Sequence, residues 1–149
     1  MVIPVMALLF SNSARYASIL MDRRIGVDLV SISRFADLFV KYPRLSDRLF
    51  TKLESSLSIN QLAGNFAAKE ALLKATRFDI RFAFNKVAVL RESGAPYFHF
   101  EPPLNKFLNR TNTDISISNE CDVALAVVLI DISDIDLLSE LKKLRLFSV

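Results

Sequence analysis

Three charged side chains in this sequence have the types and the settings for phosphate chemistry. Glu70 and Lys74 stand one helical turn apart in the run Asn65-Phe-Ala-Ala-Lys-Glu-Ala-Leu-Leu-Lys74. Residues four apart on a helix share a face, so a carboxylate and an ammonium are neighbours there. Asp28 interrupts an otherwise apolar strand pattern, Ile25 to Ile32. A carboxylate among apolar residues is costly unless an opposite charge compensates it. Two carboxylates from distant parts of a chain, with a lysine beside them, can hold a hard divalent cation and a phosphorylated substrate together. The bland alternative for Glu70 and Lys74 is a solvated helix ion pair worth about 0.3–0.5 kcal/mol. For Asp28 it is a strand-end residue that caps neighbouring backbone.

Those side chains need elements to carry them. Arg24 to Ser33 reads as a strand, with Gly26, Asp28, Val30 and Ile32 on one face and Ile25, Val27, Leu29 and Ser31 on the other. Both faces are largely apolar, which predicts a central strand. Arg34 to Lys41 reads as a short helix ended by Pro43, and Ser46 caps a further turn through Phe50. The main helix is expected from a cap at Asn60 to about Arg77. Its Ala63, Ala67, Ala68, Ala71 and Ala75 permit close approach to a sheet, and Glu70 lies at the edge of that packed face. Lys86 to Arg91 and Pro96 to Glu101 form a hairpin joined through the turn Glu92-Ser93-Gly94-Ala95. A short helix, Leu104 to Asn109, follows Pro102-Pro103. Asp114 to Ser118 and Asp122 to Ile132 are the last two strands, turned by Asn119-Glu120-Cys121. Ser133-Asp134 then caps a final helix with Ile135, Leu138, Leu141 and Leu144 near one face.

Composition sets the class. The chain has 149 residues, 52% apolar and 23% charged, which is enough for one domain with a real core. No run approaches the roughly 20 apolar residues of a membrane helix, so no membrane association is expected. The net charge of +3 permits an acidic partner. Nucleic acid is not expected, because neither zinc-ligand spacing nor an aromatic-basic RNA motif is present. Cys121 is the one cysteine and has no partner for an internal disulfide, which fits a reducing, cytoplasmic setting. Val2 to Phe10 is apolar with no positive charge before it, unlike a secretory signal. Residues 1–20 therefore read as an extension ahead of a single domain at 21–149, with Met21 as its natural beginning.

Taken in order, the pieces are Ile25-Gly-Val-Asp-Leu-Val30, Arg34-Phe35, Leu49-Phe-Thr51 with Glu54, Phe66-Ala-Ala-Lys-Glu-Ala71 with Lys74-Ala75, Gly94-Ala-Pro96, and Ile115-Ser-Ile-Ser118. This series resembles the holo-acyl-carrier-protein synthases, small bacterial 4'-phosphopantetheinyl transferases. The resemblance runs from residue 24 to about 131. It implies an α+β domain with a twisted, mainly antiparallel sheet packed on a long helix, assembled as a homotrimer with active sites between subunits. It implies magnesium-dependent transfer of the phosphopantetheine arm of coenzyme A to a serine of an acyl carrier protein, releasing 3',5'-ADP. By resemblance Asp28 and Glu70 match the metal ligands, and Glu70 and Lys74 the catalytic pair. Lys74, Ser118 and Asn119 fall at nucleotide-binding positions, and Arg34 at an arginine that contacts the carrier protein. Glu54 is a further polar candidate near the site. The basic residues Lys41, Arg44, Arg48 and Lys52 follow Arg34 and suit an acidic carrier helix.

The sequence also departs from that family. Asn119 stands where a histidine is usual, Asn65 where an arginine is usual, and Ser31 where many members carry glutamate. The run Thr76 to Arg81 lacks the usual glycines. Asparagine can donate to a phosphate but cannot titrate near neutrality. The alternative function is accordingly an attenuated member that binds carrier protein and nucleotide without efficient transfer. His99, the single histidine, alternates with Phe98 and Phe100 in a strand and reads as structural.

Overall fold

The computed structural model describes residues 23–77, 81–106, 108–110 and 112–131. The extension at 1–20 and the final helix expected after Ser133 lie outside these residues. The fold is α+β. Strand β1 (Arg23–Ser31) pairs antiparallel with β5 (Val123–Asp131), which pairs antiparallel with β4 (Thr113–Glu120). The order β1-β5-β4 puts β1 at an edge of this sheet, not at its centre. Both of its faces are apolar for a different reason. The inner face packs on helix α3 (Ile59–Ala75), while the outer face leaves Ile25 64%, Val27 45% and Leu29 61% exposed. Leu129, Val127 and Leu125 of β5 stand opposite those three residues and continue the outer apolar face.

Backbone contact between β1 and α3 is unusually close, and Gly26 makes it possible. A Cβ at Gly26 would lie 1.9 Å from the Ala71 carbonyl oxygen and 2.6 Å from the Ala75 nitrogen. Gly64 does the same for β4, since a Cβ there would sit 2.9 Å from Cγ2 of Ile117. Small residues facing each other let the sheet lie against the helix backbone, and residues flanking them on each element are brought together. Asp28 of β1, two residues after Gly26, is thus delivered to the helix that carries Glu70 and Lys74.

Local sequence explains most boundaries. Helix α3 begins at Ile59, capped by Ser58 rather than Asn60. Ser58 Oγ accepts from Gln61 N at 3.3 Å and Gln61 Oε1 accepts from Ser58 N at 3.0 Å, a reciprocal cap that Asn60 has no partner to form. Helix α1 (Ile32–Lys41) begins two residues before Arg34, because Ser31 is its cap. A short helix α2 (Leu45–Leu49) and a single turn at Lys52–Glu54 connect α1 to α3. The chain leaves α3 with Arg77 at φ 55°, a left-handed position where the expected glycine is absent.

Strands β2 (Val87–Glu92) and β3 (Ala95–Phe100) form a separate two-stranded sheet. Ser93 and Gly94, both at positive φ, make the turn that suits a two-residue hairpin. After it a single turn, Leu104–Lys106, stands at the start of the expected helix, and Leu108 N donates to the Leu104 carbonyl at 2.9 Å. The β4–β5 turn is Cys121-Asp122 where Asn119-Glu120-Cys121 is expected, because β4 runs on through Glu120, and Cys121 has φ 51°. The main core lies between α3 and the two sheets, around Leu72, Val89, Phe98, Val128 and Ile130. A second cluster, Ile32, Phe35, Phe50, Ala63 and Ala124, seats α1 against α3.

Candidate active site

Asp28 and Glu70 open onto one cavity of about 390 Å³, whose wall includes Ser31, Arg34, Phe35 and Phe66. Asp28 comes from the inner face of the edge strand and Glu70 from the facing side of α3. Lys74, one turn on, donates from Nζ to Asp28 Oδ1 at 2.7 Å and to the Val27 carbonyl at 3.1 Å. Half-burial pushes the Glu70 carboxyl above its usual range, the negative charge of Asp28 adds to this, and Lys74 opposes it. Two carboxylates that feel each other across a cavity with one adjacent ammonium attract further positive charge. Among the described residues no cluster of three or more His, Cys, Asp or Glu exists. Such a donor set suits a hard cation that completes its shell with water and phosphate oxygens.

Arg34 borders the same cavity from the first turn of α1. Beyond it, Lys41, Tyr42, Arg44 and Arg48 line a second, basic depression of about 510 Å³. The exposed side of α1 and its following loop therefore combines cations with Leu38, Val40 and Tyr42, all exposed apolar groups.

Glu54 is not at the cavity. It is fully buried, and its Oε2 accepts from Lys69 Nζ at 2.8 Å and from Thr51 N at 3.0 Å. Its Oε1 accepts from Asn65 Nδ2 at 2.9 Å and Val89 N at 3.2 Å. Lys69, equally buried, donates also to the carbonyls of Leu49 at 2.8 Å and Phe84 at 3.1 Å. Burial pulls Lys69 down to about 8 against the opposing attraction of Glu54. Asn65 is held inside this network, with Arg91 donating to its Oδ1 at 3.3 Å. These groups tie α3 to α2 and β2 on the side of the helix away from Asp28.

Ser118 and Asn119 are not brought to Glu70 within one chain. Asn119 Nδ2 donates to the Asn60 carbonyl at 3.1 Å, in the first turn of α3. Asn60 and Glu70 are ten residues apart, or about 15 Å along the helix axis. Ser118 is exposed on the outer face of the sheet opposite Leu125. His99 is exposed on β3.

The sequence model of the 4'-phosphopantetheinyl transferase superfamily matches residues 24–128. The chain belongs to that superfamily. Its relatives include the holo-[acyl-carrier-protein] synthase of Campylobacter hominis, 33% identical over 73% of this chain and 98% of the relative. The holo-[acyl-carrier-protein] synthase of Clostridium botulinum is 35% identical over 75% of this chain and 99% of that one. Among solved structures, the Neisseria meningitidis holo-[acyl-carrier-protein] synthase superposes with a TM-score of 0.64 at 32% identity, covering 72% of this chain and 96% of that chain. The Helicobacter pylori holo-[acyl-carrier-protein] synthase in complex with coenzyme A gives 0.60 at 26% identity, over 71% of this chain and 98% of that chain.

In this phosphopantetheinyl transferase Glu54, expected near the site, lies away from it, and Asp122, not expected there, holds the helix that carries Arg34. The Thr51-x-x-Glu54 spacing of a capping box is a local signal for the bond from Thr51 N to Glu54 Oε2, and that bond forms at 3.0 Å. Asp122 carried no comparable signal. Its carboxylate reaches the start of α1 only because the β4–β5 turn folds beside it, where Oδ1 accepts from Ser33 N at 2.7 Å.

Proposed function

We propose that this enzyme transfers the 4'-phosphopantetheine arm of coenzyme A to a serine of an apo acyl carrier protein, with Asp28, Glu70 and Lys74 at the reacting phosphates. The observation that carries the assignment is the convergence of Asp28 and Glu70 on one cavity, with Lys74 2.7 Å from Asp28. Relatives matched over nearly their whole length are holo-[acyl-carrier-protein] synthases, and the Helicobacter pylori structure is a complex with coenzyme A.

Asp28 and Glu70 are the residues to hold magnesium, which prefers one or two carboxylates and leaves its other positions to water and phosphate. Bound there, the ion supplies positive charge against the negative charge gathering on the pyrophosphate oxygens. The serine Oγ–phosphorus bond forms at the β-phosphorus, the pyrophosphate P–O bond breaks, and 3',5'-ADP departs. Lys74 donates to the leaving phosphate oxygens. The serine proton passes to water or to a nearby carboxylate. Arg34 and the basic depression behind α1 receive the acidic helix of the carrier protein.

The assembly is proposed as a homotrimer. Supporting this, Ile25, Val27 and Leu29 form an exposed apolar row continued by β5, larger than the scattered apolar residues of an ordinary monomer surface. Ser118 lies on that same face. Association through it offers a route by which the β4 end of one subunit, with Ser118 and Asn119, approaches the cavity of another. The proposed compartment is the cytoplasm, in keeping with an exposed, unpaired Cys121.

The decisive measurement is mass spectrometry of apo carrier protein incubated with coenzyme A and magnesium. The expected result is a gain of the phosphopantetheine mass that disappears in Asp28→Ala and in Glu70→Ala. An undiminished yield in both variants defeats the ligand assignment.

A further inference from the structure

The β4–β5 turn grips the first turn of α1 with an unusual number of bonds for an exposed loop. The Asp122 carbonyl accepts from Ile32 N at 2.8 Å. The Asp122 carboxylate accepts from Ser33 N at 2.7 Å through Oδ1, and from Ser31 Oγ and Ser33 Oγ, each at 2.8 Å, through Oδ2. Ser31 Oγ in turn accepts from Arg34 N at 3.3 Å. The free N–H groups of a helix start are thus satisfied in part by its own serine and in part by a carboxylate 89 residues away in sequence. A negative charge at a helix N-terminus also complements the helix dipole. The three serine contacts hold the Asp122 carboxyl below its usual range, as ionised acceptors are held.

The residue so placed is Arg34. It follows directly on Ser33, its own N–H is part of the cap, and its side chain borders the cavity of Asp28 and Glu70. Apolar contact of Ile32 and Phe35 seats one face of α1 on α3. The directional hydrogen bonds accepted by Asp122 act at the end of the helix that carries Arg34. We propose that Asp122 is a positioning residue for carrier-protein recognition: it orients the first turn of α1 so that Arg34 meets the acidic helix of the carrier, without itself touching coenzyme A or the reacting atoms.

This inference rests on the reading of Arg34 as a carrier contact, and the experiment separates the two. Steady-state kinetics of the full chain are measured against apo carrier protein and, separately, against coenzyme A, for Asp122→Ala, Asp122→Asn, Arg34→Ala and the Asp122→Ala/Arg34→Ala double variant. Asp122→Ala is expected to raise KM for the carrier about fivefold, the size of one lost helix cap, with kcat and KM for coenzyme A within about twofold of wild type. Asp122→Asn keeps an acceptor for Ser33 N and is expected to recover most of the affinity; it also serves should the alanine variant fail to fold. In the double variant, Arg34→Ala is expected to add less than it does alone, because the arginine has already lost its orientation. If Arg34→Ala alone leaves the carrier KM unchanged, the carrier-contact reading fails. If Arg34→Ala raises it and neither Asp122 variant does, or if Asp122→Ala raises both KM values or lowers kcat in parallel, the positioning role is overturned.

Discussion

Nζ of Lys74 lies 2.7 Å from Oδ1 of Asp28, joining the last turns of the long helix to the edge strand of the sheet. Side chains 46 residues apart in sequence meet because Gly26 lets β1 lie on the helix backbone. On the proposed reading this ammonium receives negative phosphate oxygens. Replacing Lys74 with Met keeps its length and removes its charge. Transfer is expected to fall by about 10²–10³ in kcat, the usual cost of losing one donor to a developing negative charge. Single-turnover mass spectrometry reads this, and a kcat within threefold of wild type would remove Lys74 from the chemistry.

Glu70 sets a trade between stability and function that depends on pH. Burial raises its carboxyl from an ordinary value of 4.5, so the folded state holds this proton more tightly than the unfolded state. Its contribution to stability is therefore present below the ordinary carboxylate range and is lost as pH rises through the raised value. Where it is ionised, Glu70 costs stability that Glu70→Gln restores. The variant is expected to melt above wild type at neutral pH in a chelating buffer, with the gap closing toward pH 4. Added magnesium is expected to stabilise wild type and not the variant. A variant that melts lower at pH 7 contradicts the burial argument.

Lys69 and Glu54 form an ion pair with both side chains fully buried. Removing one partner leaves a buried charge without its counterpart. Lys69→Met is expected to lose about 3–5 kcal/mol by urea denaturation. Combining it with Glu54→Gln should cost less than the two single changes summed, since the second removes the orphaned charge. Additive losses would mean that the two groups do not act as a pair.

The outer face of β1 tests assembly separately from catalysis. Val27 is 45% exposed at the centre of the apolar row, and its neighbours Ile25 and Leu29 flank it on the same face. Val27→Asp is expected to convert a trimer to monomers by light scattering coupled to gel filtration. The monomer should keep its fold, because the mutated side chain points away from α3. A wild-type chain that runs as a monomer would sink the assembly proposal.

The order of elements was legible from local rules. Apolar periodicity marked every strand later seen, the alanine run marked the long helix, and Ser93-Gly94 marked its hairpin, because these signals depend on neighbours a few residues away. The pairing of Asp28 with Glu70 was legible only through the resemblance of motifs. Boundaries shifted with the caps: Ser58 with Gln61 prevailed over Asn60, and Ser31 starts α1 two residues ahead of Arg34.

What the amino-acid order determined by itself was the set of elements and the chemistry they carry. An aspartate in a strand and a glutamate and a lysine on a helix are fixed by position alone. Tertiary structure decided which strand is an edge, that Glu54 faces inward to Lys69, and that Asp122 holds the start of α1. Pairing order and long-range hydrogen bonds depend on which distant segments meet. That meeting is set by the summed packing of the whole core, which no local spacing encodes.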